Sequence, residues 1–181
     1  DGVEVGTQKA FRLAEKNQKS TMIYVSKIDV EHADFYKVFE ELKTQFGPQI
    51  CPIVVPVARG NEMIYVNLMD FKAYQYKNGV AEEVVMPATG HRLDGLVTAI
   101  NEAVAETSEE LMEKYFSGEP LTKAEIVQGI KSGVKDGTIT PVVCGVATKL
   151  EAIDMVLDVI NDLAPTPQDT EGTKIDIGST E

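Results

Sequence analysis

The chain has 181 residues, a formal net charge of −12, 43% hydrophobic residues and 7% aromatic residues. That length suffices for one ordinary domain, or for a domain that carries a smaller one inserted in it. The acidic balance argues against general DNA or RNA binding, because affinity for a phosphate backbone rests on Lys and Arg.

The two cysteines, Cys51 and Cys144, stand far apart inside apolar runs. This is typical of reduced thiols in a cytoplasmic core rather than of a disulfide framework. No apolar run approaches the roughly 18–20 residues that cross a bilayer, and no signal peptide opens the chain. We therefore expect a cytoplasmic protein without membrane contact, and the first residue, Asp1, suggests a fragment or a processed product.

The first quarter of the chain predicts helix, strand and helix in turn. Residues 8–18 are rich in helix formers, and residues 20–26, "STMIYVS", form an apolar run typical of a strand buried on both faces. A second helix is predicted over 33–46, ending at Gly47-Pro48. Its apolar residues all fall on one helical face: Phe35, Val38, Phe39, Leu42 and Phe46.

The pattern changes after Pro48. The run "ICPIVVPVA" is interrupted by prolines, which favours edge or irregular strands. "MIYVNLMDF" predicts a further strand, and Asn78-Gly79 between two β-rich runs predicts a two-residue hairpin turn.

A long helix is then predicted over about 93–115. Its apolar stripe predicts one packed face, and a row of carboxylates occupies the opposite side. The row consists of Glu102, Glu106, Glu109 and Glu113. From periodicity alone, such a row indicates a solvated face.

The last third predicts helix, strand and helix. Thr122 and Glu125 form a capping-box pattern that opens a helix ending near 136–137. Residues 139–147, "ITPVVCGVA", predict a buried strand that runs into a loop of small residues, and 152–163 carry a helical apolar stripe.

These elements predict an α/β fold with a mostly parallel sheet, interrupted by an inserted subdomain. The framework comprises residues 1–47 and 139–167, the inserted mixed α+β subdomain comprises 48–138, and 168–181 read as a linker. Parallel strands need a long crossover connection, which here has grown into a subdomain.

Two predicted strand ends, "YVSKID" and "VVCGVATK", share one rim if their strands are neighbours, and ligands of open α/β sheets bind at that rim. The first offers the Asp29 carboxylate and the methylene stem of Lys27. The second offers backbone N–H groups of residues 145–148. This set of acceptors and donors complements the edge of guanine.

At this point the residues resemble a known family. "SKID" is similar to the NKxD motif of GTPases and "CGVATK" to their SAK loop. The flanking segments "GVEVGTQKAFRLA", "EELMEKYFSGEPLT" and "PVVCGVATKLEAIDMVLDVINDLAPTPQD" are similar to elongation factor G and its paralogues. The resemblance implies a P-loop GTPase-type fold with a G-prime subdomain and a site for GTP or GDP. The guanine-binding residues that it implies are Ser26, Lys27, Asp29, Val146, Ala147 and Thr148.

The resemblance also implies a ribosomal partner. In elongation factor G the G-prime helices dock the ribosomal stalk protein, so the glutamate row gains a second interpretation as a docking surface. Basic residues of a partner would then raise association rates. Both interpretations of the row stay open from the sequence.

Two residues depart from the family pattern at the base site. Ser26 stands where most GTPases have Asn, and the loss of one amide hydrogen bond costs about 0.5–1.5 kcal/mol. Val146 stands where the family usually has Ser, whereas the backbone contact of Ala147 is independent of the side chain. Weakened nucleotide affinity with retained guanine preference is the expectation, because Asp29 is intact.

The sequence holds no GxxxxGK[ST] phosphate loop, and no DxxG precedes the first helix. Phosphoryl transfer depends on those groups and on the metal ion. We therefore expect a GTPase in the intact protein, where Mg²⁺ would bind, and no catalytic residue in this chain alone.

Two other classes of function fit parts of the sequence. A non-enzymatic interaction module would use the acidic subdomain and keep vestigial guanine loops. A thiol hydrolase would need Cys51 or Cys144 beside a histidine, and neither His32 nor His91 falls in a recognisable partner or metal-ligand pattern.

Overall fold

A computed structural model describes residues 2–60, 62–87 and 91–166, and the predicted linker 168–181 lies outside them. Within these ranges the chain forms a three-stranded sheet and a four-stranded sheet with six α-helices. The helices are α1 (Val5–Lys16), α2 (Phe35–Phe46), α3 (His91–Ala105), α4 (Glu109–Phe116), α5 (Lys123–Asp136) and α6 (Ile153–Leu163). The strands are β1 (Ile23–Val25), β2 (Ile50–Pro52), β3 (Val54–Arg59), β4 (Glu62–Asn67), β5 (Lys72–Lys77), β6 (Val80–Val84) and β7 (Thr140–Cys144).

The three-stranded sheet is parallel, in the order β1-β7-β2. Ile23 pairs with Val142 on one side of β7, and Ile50 pairs with Thr140 on the other. All five residues of β7 are buried, as expected of a central strand covered on both faces. Its neighbours therefore place their carboxyl ends at the same edge as the end of β7.

The predicted helix over 33–46 is confirmed as α2. The Asp34 carboxylate caps it by accepting a 3.1 Å hydrogen bond from the Lys37 N–H, so the first helical residue follows the cap. The helix ends at Gly47, whose φ of +89° suits glycine. Phe46 stacks on Phe11 of α1 with ring centroids 4.1 Å apart, which holds the two helices together.

Both cysteines are fully buried, as predicted for core thiols. Burial raises the pKa of the Cys51 thiol to about 12 and that of Cys144 well above its usual value. Because the thiolate is the reactive form, neither side chain is suited to nucleophilic chemistry.

The proline-interrupted run after residue 48 divides between the two sheets. Ile50–Pro52 pairs with β7 as an edge strand of the parallel sheet, although the predicted subdomain begins at residue 48. Ile53 then joins the sheets, because its N–H donates to the Val142 carbonyl (2.8 Å) and its carbonyl accepts from the Leu68 N–H (2.9 Å). The predicted domain division, a framework of residues 1–47 and 139–167 and a subdomain of residues 48–138, stays a prediction. By its pairing with β7, strand β2 belongs to the sheet of the framework.

The second sheet is antiparallel, in the order β3-β4-β5-β6. Asn78 and Gly79 connect β5 to β6 with φ of 52° and 79°, which a two-residue primed turn requires. The predicted hairpin at this position is confirmed.

The predicted single helix over 93–115 is wrong, because the chain forms α3 and α4 with a break at 106–108. The Thr107 hydroxyl donates to the Val104 carbonyl (2.7 Å), and the Ser108 hydroxyl accepts from the Leu111 N–H (3.2 Å) as the cap of α4. Such local bonds from Ser and Thr compete with helix continuation. The four glutamates therefore do not line one helix.

The predicted capping box opens α5. Thr122 and Glu125 exchange their side-chain and backbone hydrogen bonds, and Lys114 of α4 donates to both oxygens of Glu125 at 2.8 and 2.9 Å. The helix ends before Gly137, which is left-handed. Glu125 thus fixes the start of α5 and ties it to α4.

Candidate functional site

The two predicted rim loops lie side by side at the carboxyl ends of β1 and β7. Val25 pairs with Cys144, and the Gly145 N–H continues the ladder to the Val25 carbonyl (3.4 Å). The two strands are therefore neighbours, as the rim requires. We call residues 26–30 the first loop and residues 145–151 the second loop.

The first loop turns at once after β1. Ser26 and Lys27 are exposed, whereas Ile28 is buried and anchors the turn. Lys27 has a φ of 56°, an uncommon conformation for a residue with a side chain, and its carbonyl accepts from the Val30 N–H at 3.4 Å. The anchored turn holds Asp29 at the rim.

The second loop closes on itself. Val146 and Glu151 exchange two backbone hydrogen bonds of 3.0 and 3.1 Å, and the residues between them begin with a 3₁₀ turn, Ala147–Lys149. The Val146 side chain is buried, while Ala147 and Thr148 are exposed. The Ala147 N–H opens the turn, a position where an N–H has no partner within the turn itself and can bind a ligand.

An ion pair joins the two loops. Lys149 Nζ lies 2.7 Å from Asp29 Oδ2. The hydrogen bond from Lys149 lowers the pKa of Asp29 and raises that of Lys149, so both groups are charged at neutral pH. No role was predicted for Lys149 from the sequence, although it is the last residue of the motif "CGVATK".

A second layer of contacts comes from the antiparallel sheet. Tyr65 of β4 donates to Glu151 Oε2 (2.7 Å), and Tyr76 of β5 donates to Asp154 Oδ1 (2.5 Å) at the start of α6. The two rings meet edge to face with centroids 5.5 Å apart. Sequence reasoning missed these contacts, because the first joins residues that are 86 positions apart.

A cleft of about 620 Å³ is lined in part by the first loop. Its lining includes Ser26, Lys27 and, from α2, Lys37 and Glu41. The second loop does not contribute to this lining among the described residues. The cleft and the rim between the loops therefore share only the first loop.

The four predicted docking glutamates lie on different elements of the structure. Glu102 lies on α3 with its carboxylate 3.7 Å from Lys43 Nζ, and Glu106 lies in the break after that helix. Only Glu109 and Glu113 share a helix, α4, where both are exposed.

The described residues show neither a metal cluster nor a membrane-spanning helix. His, Cys, Asp and Glu form no group there that could hold a metal ion, and His32 is exposed beside Glu31. Among the described helices, none is both long and apolar enough to span a membrane.

The sequence profile named Elongation factor Tu GTP binding domain matches residues 1–166. The chain therefore belongs to this family of GTP-binding domains. The predicted α/β GTPase-type fold and the resemblance to elongation factor G are thereby confirmed.

Among individual relatives, the chain is 33% identical over 185 aligned positions to the "Elongation factor G-like protein" of Thermotoga maritima. That alignment covers 97% of this chain and 27% of the relative. A crystal structure of a protein from Thermus thermophilus is similar with a TM-score of 0.80 and 30% identity, covering 93% of this chain and 26% of that one. The chain thus spans about a quarter of the length of these two proteins.

The chemical groups at the rim are of the types that complement the edge of a guanine base. A guanine edge offers two adjacent N–H donors and one carbonyl acceptor, and the rim offers an ionised carboxylate and an amide N–H at the start of a turn. A carboxylate has about four lone-pair positions, so Asp29 can accept from Lys149 and from a base together.

Proposed function

We propose that the rim between the two loops reads the guanine base of GTP or GDP. Asp29 would accept the two N–H groups of the base, and the Ala147 N–H would donate to its carbonyl. Lys27 and Thr148 would flank the ring, and Ser26 and Val146 would shape the loops. The supporting observation is the 2.7 Å Asp29–Lys149 contact, which holds the carboxylate between loops at the ends of paired strands.

The two departures from the GTPase pattern have different consequences in this geometry. Val146 is buried, so its side chain fills the core, and Lys149 instead of a serine ties the second loop to Asp29. Ser26 is exposed and too short to replace an amide. We infer reduced affinity through Ser26 and retained preference for guanine through Asp29.

The test is a nucleotide titration of the full-length protein that contains this chain. GDP is expected to bind at least about tenfold more tightly than ADP, since guanine offers the carboxylate two adjacent N–H donors, whereas adenine offers one amino group beside a ring nitrogen that is itself an acceptor. The comparison isolates the base, because both ligands carry the same diphosphate. Equal affinities for the two nucleotides would refute the assignment.

We further propose that the full-length protein hydrolyses GTP with Mg²⁺ held beside a phosphate loop that these 181 residues lack. Phosphoryl transfer needs those groups, so this chain by itself should be inactive. A phosphate-release assay compares the chain with the full-length protein. Mg²⁺-dependent hydrolysis by the chain alone would contradict this proposal.

We infer that the intact protein works on the ribosome in the cytoplasm, with α4 as a docking surface for the stalk protein. Met112 and Phe116 are exposed on α4 (38% and 79%), and Glu109 and Glu113 follow the same four-residue spacing. An exposed apolar pair beside two carboxylates suits a basic, amphipathic partner. This observation also supports the alternative of a non-enzymatic interaction module.

Charge reversal tests the docking surface. Glu109→Lys with Glu113→Lys should weaken binding of the stalk protein, and the loss should shrink at high salt. Glu102→Lys is the matched control, because Glu102 lies on α3 near Lys43. If the double variant binds as the wild type does, α4 is only a solvated face.

A further inference from the structure

Glu151 occupies an unusual position in the second loop. Its neighbours Leu150 and Ala152 both have left-handed backbones, with φ of 56° and 59°. This conformation is unfavourable for a residue with a side chain, so the surrounding structure must hold it in place. The backbone of Glu151 meanwhile closes the loop by its two hydrogen bonds to Val146.

Tyr65 of the antiparallel sheet holds the Glu151 side chain in place by a hydrogen bond. Its ring is fully buried, and its hydroxyl donates to the Glu151 carboxylate at 2.7 Å. Burial, followed by the Glu151 carboxylate, raises the pKa of Tyr65 above its usual value, so the hydroxyl remains a donor at neutral pH. A hydroxyl that donates to a carboxylate forms one of the stronger classes of hydrogen bond.

The contact reaches the nucleotide rim by a short path. Lys149, which pairs with Asp29, and Ala147, which opens the turn, both lie between Val146 and Glu151. A shift of Glu151 therefore moves the donor N–H and the cation that holds the carboxylate. The Tyr65 hydroxyl thus connects the antiparallel sheet to both halves of the rim.

We propose that Tyr65 is a positioning residue for guanine recognition, which sets the second loop through Glu151 and makes nucleotide affinity depend on the antiparallel sheet. This proposal rests on the proposed guanine site. It assigns Tyr65 no contact with the nucleotide.

Tyr76 provides a matched control within the same sheet. It too is a buried tyrosine that donates to a carboxylate, and its ring touches that of Tyr65. Its acceptor, Asp154, belongs to α6 and not to the second loop. Removal of this hydroxyl should affect stability without moving the rim.

The experiment measures GDP binding by the full-length protein with Tyr65→Phe and Tyr76→Phe. Tyr65→Phe should raise the Kd for GDP by about tenfold, which corresponds to the free energy of one hydrogen bond to a charged group. Tyr76→Phe should leave the Kd within about twofold of wild type, a difference of under ~0.5 kcal/mol. Irreversibly misfolded protein would lower the amplitude of the titration and leave its midpoint unchanged, whereas partial reversible unfolding would raise the apparent Kd. Circular dichroism of each free variant at the titration temperature therefore confirms first that it is fully folded.

Glu151→Gln keeps the backbone pairing, weakens the same bond and supplies the measurement if Tyr65→Phe does not fold. It should raise the Kd for GDP severalfold. Because both substitutions act on one hydrogen bond, the double variant Tyr65→Phe with Glu151→Gln should bind GDP about as well as the single variant of lower affinity. An unchanged Kd for GDP in Tyr65→Phe, or an equal rise of the Kd in Tyr76→Phe, overturns the proposed role of Tyr65. The proposed guanine site still stands in that case if the wild-type protein prefers GDP over ADP. If the wild-type protein binds GDP and ADP equally, the proposed guanine site and the proposed role of Tyr65 are both overturned.

Discussion

At the scale of single residues, Lys149 lowers the pKa of the Asp29 carboxyl group and holds this group at the rim. The pKa of Asp29 is lowered mainly by the hydrogen bond from Lys149. A carboxyl group whose pKa is lowered in the folded state contributes stability that is fully present above its ordinary pKa, 3.8 for Asp29. That contribution is lost as the pH falls through the lower value of the folded protein.

Lys149→Met should return the pKa of Asp29 toward its ordinary value. An NMR titration of the Asp29 carboxyl carbon measures this shift, and Lys27→Met is the control because the ion pair of Asp29 is made by Lys149 and not by Lys27. GDP affinity should fall severalfold at neutral pH, whereas preference over ADP should survive because Asp29 stays ionised. An Asp29 pKa that does not move would show that Lys149 is not its main partner.

At the scale of elements, Glu125 connects two helices and opens one of them. Hydrogen bonds from Lys114 and then from Thr122 lower the pKa of Glu125 from 4.5 to about 2. The stability from this carboxylate is therefore complete above about pH 4.5 and is lost as the pH falls toward 2.

Glu125→Gln should lower the free energy of unfolding at pH 7, and its difference from wild type should narrow as the pH falls below 4.5. Denaturant unfolding at a series of pH values measures this difference. Glu119→Gln serves as a control, since Glu119 is exposed between α4 and α5. A difference that stays constant from neutral pH into the acid range below 4.5 would contradict the assigned role of the Glu125 charge.

The break between α3 and α4 shows where the sequence pattern misled. The apolar stripe and the glutamate spacing both fit one continuous helix, and the flanking residues are good helix formers. Thr107 and Ser108 end that helix because their hydroxyls bond the local backbone. A Ser or Thr inside a helical pattern can either cap a new helix or occupy an exposed position of a continuous one, and the residue type alone does not distinguish the two.

At the scale of the whole molecule, the two sheets are joined by main-chain and side-chain bonds. Ile53 hydrogen-bonds to β7 and to the segment that follows β4, and Tyr65 and Tyr76 reach from the antiparallel sheet to the segments that follow β7. A change in the antiparallel sheet can therefore reach the rim of the proposed nucleotide site through direct hydrogen bonds.

Much of this arrangement could be predicted from local sequence. The buried strand β7, the Asn78-Gly79 turn and the Thr122–Glu125 capping box each depend on neighbouring residues. The run at 20–26 was expected to form a strand buried on both faces, but β1 exposes Tyr24 and is only partly buried. The pairing of β1 with β7 meets the condition under which the loops of Asp29 and Ala147 were expected to share one edge. The role of Lys149 and the Tyr65–Glu151 contact could not be predicted, because they arise from the pairing of distant segments. The pairing of β2 with β7 was missed for the same reason.

The proposed role of Asp29 in reading the guanine base can be tested by one substitution. In the full-length protein, Asp29→Asn should lower GDP affinity by at least about tenfold, because an amide cannot accept both N–H donors of the base. Xanthosine diphosphate, whose base carries a carbonyl where guanine carries an amino group, should then bind more tightly than GDP. If Asp29→Asn binds GDP as wild type does and gains no preference for xanthosine diphosphate, Asp29 is not the residue that reads the base.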